Sequence, residues 1–216
     1  MSPCSGTDPD NQDSSGSVLA DRKVIIALSG GIACYKSAVL VSLLSQRGAA
    51  VRVLMTEAAT KFITPLTFQS LSGRPVLTSI WQCDDQPQSQ HIGLAHWCEL
   101  LVIAPASADL MAKIAAGLNS DIVSLVASAL PQTTPVLLAP AMNAEMWKNP
   151  ITQRNLQTLK QVLGYEFVGP DTGWQACRTS GPGRMSDPEV TLQAIERILY
   201  SSTSNHQSTP RLAAES

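Results

Sequence analysis

The sequence predicts an α/β fold in three layers, a parallel sheet between two sheets of helices. Two observations lead there. Short apolar runs such as "KVIIAL" and "ELLVIAPA" alternate along the chain with longer helical stretches, and strands apolar on both sides belong to sheets covered on both faces. Each run then closes in small or polar residues, at the strand ends where open parallel sheets bind their ligands.

The elements follow in order. "KVIIALSG" reads as a β-rich run closed by glycine, and "ACYKSAVLVSLLSQRG" as a helix that Gly48 ends. "AVRVLMT" is a second strand, and "EAATKFITPLTFQSLSG" a helical region broken by Pro65. "ELLVIAPAS" is a third strand, followed by one or two helices in "ADLMAKIAAGLNSDIVSLVASAL". "PVLLAPAMN" is a fourth strand, with a helix in "NPITQRNLQTLKQVLG" and the segment "YEFVGP" after it. The last helix, "DPEVTLQAIERILY", opens with Asp187 as N-cap and Pro188 in the first turn. The pattern is a single Rossmann-like (flavodoxin-like) domain over residues 21–200. Residues 1–20, rich in Ser, Asp, Gly and Pro, read as a flexible tail, because such composition cannot offset the entropy of ordering, and residues 201–216 look like a second one.

Bulk properties exclude several classes. The 216 residues carry 15% charged side chains and a net charge of -2 with no basic stripe, which argues against nucleic acid as a partner. The apolar runs are too short to span a bilayer, so no membrane role is expected and the cytoplasm is the expected location. Five scattered cysteines, Cys4, Cys34, Cys83, Cys98 and Cys177, form no CxxC pair. Neither a disulfide framework nor a metal site is expected, and most of these thiols should be reduced, buried and inert.

The strand ends hold the candidate site. Gly30 and Gly31 precede a helix N-terminus, where backbone N–H groups and the helix dipole suit a mononucleotide or flavin phosphate. A tight strand-to-helix turn would use the same residues. The string is no Walker motif, since Tyr35 stands where a glycine should precede Lys36 and Ser37, and no third glycine completes a dinucleotide fingerprint. Thr56 reads as an N-cap. Pro105, Ala106, Ser107 and Ala108 leave room for a flat ligand, or for close helix packing, and Lys113 follows in the helix.

The segment "LLAPAMNAEMWKNP" sets an amide, Asn143, between Met142 and the pair Met146 and Trp147. Methionine fills cores well, but an amide at a strand end is poised to hold a carboxylate or carbonyl. His91 and His96 lie just ahead of the third strand. Cys177 lies in "DTGWQACRTSGPGRMSDP", whose weak periodicity reads as a mobile loop over the sheet. An exposed thiol there would be reactive.

Together these pieces resemble the homo-oligomeric flavin-containing cysteine decarboxylases, and within them the branch that acts on phosphopantothenoylcysteine in coenzyme A biosynthesis. "PAMNAEMW" fits the family's PxMNxxMW pattern in full, while "SGGIACYK", "HIGLAHW", "APASADLMAKIAAG" and "ACRTSGPGRMSDP" fit looser ones. The resemblance runs from Lys23 to Leu199, with Asp109 standing where many relatives have Asn in an ASANT string. It implies FMN, held by Gly30, Gly31, Ile32 and Thr56 at the phosphate and ribityl, with Pro105, Ala106, Ser107, Ala108 and Ala141 along the ring. It implies 4′-phosphopantothenoylcysteine as substrate, gripped by Asn143 with Met142 and Met146 supporting it. His91 resembles the base and Cys177 the acid of a cycle that oxidises the thiol side, loses CO2 to an enethiolate and reduces the product. A trimer or dodecamer is implied too, with the site between subunits and Asn143 facing a neighbour's flavin.

Rival readings keep the fold and change the chemistry. A lantibiotic-type peptidyl-cysteine decarboxylase would release the enethiol, and Cys177 in "ACRTSGPGRM" argues against it because only the reductive half needs that acid. A flavin prenyltransferase would lack "PAMNAEMW". A phosphatase-regulating relative would carry long acidic tails, and these are short. No second domain for the preceding ligase step falls within the 216 residues, which leaves a separate ligase or a longer parent chain open.

Overall fold

A computed structural model describes residues 17–81 and 90–206. Six parallel strands form one sheet: β1 (Lys23–Leu28), β2 (Ala50–Met55), β3 (Val76–Leu77), β4 (Leu100–Ala106), β5 (Val136–Pro140) and β6 (Glu166–Phe167). Their spatial order is β3-β2-β1-β4-β5-β6. The order reverses between β1 and β4, and the crevice beyond the strand ends at such a switch point is where ligands bind.

The alternation of side chains divides the core in two. Val24, Ile26 and Leu28 of β1, with Leu100, Val102 and Ala104 of β4, face one cluster. α1 (Cys34–Gln46), α3 (Pro65–Ser72) and α9 (Pro188–His206) cover it through Leu40, Phe68 and Ile195. Ile25, Ala27, Leu101 and Ile103 point the other way. There α4 (Gln90–Trp97), α5 (Ala108–Ala115), α6 (Ile122–Ala129) and α8 (Pro150–Gln161) close the second layer. Every β4 residue is buried, as a strand covered on both faces requires.

Several elements differ from the sequence expectation, each for a local reason. Pro65 does not break one helix but starts another: α2 (Glu57–Thr60) ends and α3 begins with proline in its first turn, where its missing N–H costs nothing. The strands β3 and β6 and the helix α7 (Ala144–Lys148) are too short to carry a period. α1 stops at Gln46 and the chain reverses at Gly48, φ +82°. The segment read as a mobile loop is an antiparallel hairpin, β7 (Asp171–Trp174) with β8 (Ser180–Arg184), and Cys177 sits in its turn.

The boundaries move as well. Leu19, placed in the tail, is fully buried in the core, and α9 continues through residues 201–206. Residues 1–16, 82–89 and 207–216, with Cys4 and Cys83 among them, lie outside the described residues. Cys34 and Cys98 are buried and unbridged. Burial raises both thiols above their ordinary value, Cys98 to about 12, which disfavours the reactive thiolate. No helix among the described residues is long and apolar enough to cross a membrane.

Candidate active site

One cleft of about 1340 Å³ opens over the carboxyl ends of the strands. Pockets for a single small ligand run to about 300–1,000 Å³, so this one has room for two. The loop after β1 forms its first wall, through Gly30, Gly31 and Ile32, and Thr56 and Ala58 continue it after β2. Ser107 and Ala108 after β4 and Ala141, Met142 and Asn143 after β5 make the opposite wall. Cys177 and Gly183 of the hairpin close one end.

The β1 loop is shaped by what it must leave empty. A Cβ on Gly30 would come within 2.6 Å of the Ala58 Cβ, so this glycine lets α2 pack against the loop. A Cβ on Gly31 would meet nothing within 4 Å; it faces open space. α1 has no side-chain cap, whereas Thr56 caps α2 by accepting from Ala59 N–H at 3.2 Å. Ser107 caps α5 in the same way, accepting from Leu110 N–H at 3.3 Å. At the start of α1, Cys34 N–H donates to the Gly31 carbonyl and Lys36 N–H to the Ala33 carbonyl, and a helix start without a side-chain cap beside an open cradle suits an anion.

Ser29, which the sequence reading passed over, ties the two walls together at the switch point. Its hydroxyl donates to the Pro105 carbonyl at 2.8 Å and accepts from Ser107 N–H at 2.7 Å. Pro105 and Ala106 themselves lie behind the wall, as buried β4 residues, and do not line the cleft. They shape that wall only through their backbone.

Asn143 answers the question that its position raises. Its Oδ1 accepts from Met146 N–H at 2.8 Å and caps α7. The atom facing an N–H donor must be the oxygen, so the NH2 group, with two donors, is the end left for a ligand. Asn143 lines the cleft of its own chain, whereas the resemblance implied that it faces a neighbour's flavin. Met142 packs against the second core cluster, but Met146 is 47% exposed and lines the cleft rather than packing beneath Asn143.

The hairpin is docked, not loose. Met142 N–H donates to the Gly183 carbonyl at 2.9 Å, and Ala144 N–H donates to the Gln175 Oε1 at 3.1 Å. At its base the buried Lys36 ammonium donates to the Met185 carbonyl at 2.6 Å and to Asp187 at 2.8 Å. That bond, with Arg184 beside it, holds the Asp187 carboxyl below the ordinary carboxylate range. Lys36 had been read only for its place in a failed phosphate motif. Nothing in the local sequence foretells its partners, which lie about 150 residues away.

The turn itself contains a strained residue. Arg178 has φ +63°, a conformation that costs an L-residue with a Cβ about 1–2 kcal/mol. Arg178→Gly should therefore raise the stability of the protein by about 0.5–1 kcal/mol, after glycine's larger unfolded-state entropy is deducted. A shift of the urea midpoint at constant slope would register it, and an unchanged or lower midpoint would refute it.

His91 stands apart. It lies in the first turn of α4, which packs against α6 on the far layer, and it does not line its own chain's cleft. Across the cleft floor, Lys113 pairs with Asp109 at 3.0 Å and with Asp121 at 3.4 Å. The Asp109 bond raises the lysine above its ordinary value. Asp109 thus pairs within its own helix with a lysine that it shares with Asp121.

Comparison with known proteins bears on the fold and the family. Residues 13–199 match the Flavoprotein family. The coenzyme A biosynthesis bifunctional protein CoaBC of Vibrio cholerae is 49% identical over 180 residues, covering 83% of this chain and 44% of that protein. The chain thus spans less than half the length of the curated relatives it matches. Among solved structures, a cysteine-to-serine mutant of a PPC decarboxylase, complexed with pantothenoylaminoethenethiol, is 31% identical with TM-score 0.73. That match covers 84% of this chain and 99% of the other. The FMN binding protein AtHal3 is 30% identical with TM-score 0.72, over 84% of this chain and 98% of its own.

Proposed function

The chain belongs to the flavoprotein family, and on that premise we propose that it binds FMN and decarboxylates 4′-phosphopantothenoylcysteine to 4′-phosphopantetheine. One observation carries this reading. The Asn143 amide and the Cys177 thiol line the same cleft, opposite a glycine cradle and an uncapped helix start.

The residues present fit FMN. The open space at Gly31 and the amides at the start of α1 suit its phosphate, with Gly30, Ile32 and Thr56 around them. Ser107, Ala108 and Ala141 are small enough for a flat ring to lie on. When bound, FMN supplies an acceptor for two electrons from the substrate's thiol-bearing carbon and gives the pair back after CO2 has left, so the cycle is redox-neutral.

The chain's own groups do the rest. The Asn143 NH2 donates to the substrate carboxylate and fixes it for departure. Cys177 then delivers the S–H proton to the enethiolate that CO2 loss leaves behind. His91 takes the substrate's thiol proton. It lies outside its own cleft, so we assign it to the cleft of a neighbouring copy in a homo-oligomer, a trimer or a dodecamer built from trimers. Exposed apolar groups on α1 and at the α2–α3 turn, Ile32, Tyr35, Val39, Phe62 and Leu66, suit such an interface.

The test is the mass of the product formed from 4′-phosphopantothenoylcysteine by the FMN-loaded protein. Loss of CO2 alone is expected. Loss of CO2 with two hydrogens would leave only the oxidative half and favour the peptide-modifying reading. No turnover with FMN bound would remove this substrate.

A further inference from the structure

We propose that Gln175 is a positioning residue: its side-chain amide fixes the Cys177 thiol to the segment that carries Asn143. The inference rests on the decarboxylase reading only for its consequence, since the tie itself is a matter of geometry. Gln175 is 8% exposed, in a turn whose other residues lie open. A buried amide must find partners, and this one uses both of its ends. The Nε2 donates to the Pro182 carbonyl at 2.8 Å, with Gly181 at 3.4 Å, and so holds the returning strand of the hairpin. The Oε1 accepts from Ala144 N–H at 3.1 Å and from the Cys177 thiol at 3.6 Å.

One oxygen therefore joins the thiol to the residue next to Asn143. The backbone reinforces the geometry. Gln175 N–H donates to the Thr179 carbonyl and Arg178 N–H to the Gln175 carbonyl, both at 2.9 Å, closing the turn around Cys177. The sulfur has a second partner, the Thr179 hydroxyl at 3.0 Å. With the S–H given to Gln175, that hydroxyl is the donor to sulfur. Gln175 thus orients the thiol while it holds its proton, and Thr179 supports the sulfur once the proton has gone to carbon. No other residue among those described bonds to both the turn and the start of α7.

Gln175→Met keeps the volume and removes every polar contact of the amide. Two readouts on the FMN-loaded, full-length protein test it. In hydrogen–deuterium exchange, peptides covering residues 142–146 and 174–184 should exchange about two- to tenfold faster, the range that one lost hydrogen bond represents. In product analysis, a share of about one half or more should lack two hydrogens, while the unaltered protein gives the reduced product alone. A purely structural role would lower both half-reactions together and leave that ratio unmoved. Unchanged exchange at 142–146, or wholly reduced product from Gln175→Met at a lower rate, overturns the proposal. If the unaltered protein itself forms no decarboxylated product, the substrate reading fails, and exchange alone decides whether Gln175 makes the tie.

Discussion

Asn143→Asp is expected to lose nearly all turnover while keeping its fold and its FMN. The substitution separates the two jobs of one side chain. Asp caps a helix as well as Asn does, so the bond from Met146 N–H, 2.8 Å to the Asn143 oxygen, survives with a carboxylate oxygen in its place. What disappears is the NH2 group, and what arrives is a negative charge facing the substrate carboxylate. A hydrogen bond to a charged group is worth about 1.5–3 kcal/mol. Like charges about 4 Å apart repel by about 1 kcal/mol in water and about 4 kcal/mol near a protein surface. Together, at about 2.5–7 kcal/mol, these place kcat/KM lower by a factor of about 10² to 10⁵. Asn143→Ala should differ in kind, losing the cap as well and about 1 kcal/mol of stability. Steady-state kinetics, the thermal midpoint and the visible spectrum of the bound flavin read the three properties separately. Turnover by Asn143→Asp within tenfold of the unaltered protein would reduce Asn143 to a cap.

That contrast shows what the sequence could and could not reveal. The amide in "PAMNAEMW" was visible because a polar group between thioethers needs a reason. Its division of labour was not, because α7 has only five residues and no period marks its start. The sheet was legible for the opposite reason: its strands β1, β2, β4 and β5 are long apolar runs, and their burial on both faces wrote itself into composition. β3 and β6, two residues each, left no such trace.

The hairpin was misread as a mobile loop because "SGPGR" has no strand-like side chains. Its order comes from contacts distant in sequence, Gly183 to Met142 and Gln175 to Ala144, and local pattern cannot report those. His91 was found as a histidine ahead of a strand, but spacing could not tell that it lies outside its own chain's cleft. Lys36 was dismissed with a failed phosphate motif, although it anchors the hairpin's base.

Gly183→Ala tests the docking from the backbone side, and its effect should be confined to one end of the molecule. Gly183 has φ +123°, and a Cβ there would lie 2.3 Å from the Met142 carbonyl oxygen. The backbone strain alone costs about 1–3 kcal/mol. Relieving the clash means moving β8 off the strand end, which also gives up the bonds from Met142 and Ala144, about 1 kcal/mol each. An isolated two-stranded hairpin is marginal at best in water, so it has no reserve to meet that loss and should undock. The core clusters keep their contacts, so the fold and flavin content should hold, with the thermal midpoint lower by about 2–4 °C for each kcal/mol of docking lost. Arg178 and Arg184 should then become early trypsin sites. With Cys177 gone from the cleft, product lacking two hydrogens should replace the reduced one. Gly31→Ala, where a Cβ meets no protein atom within 4 Å, should do the reverse: the hairpin stays resistant to trypsin and FMN affinity falls. If Gly183→Ala kept both arginines protected, the close approach to Met142 would not be what holds Cys177 in place. If Gly31→Ala bound FMN as tightly as before, the cradle would have to lie elsewhere in the cleft.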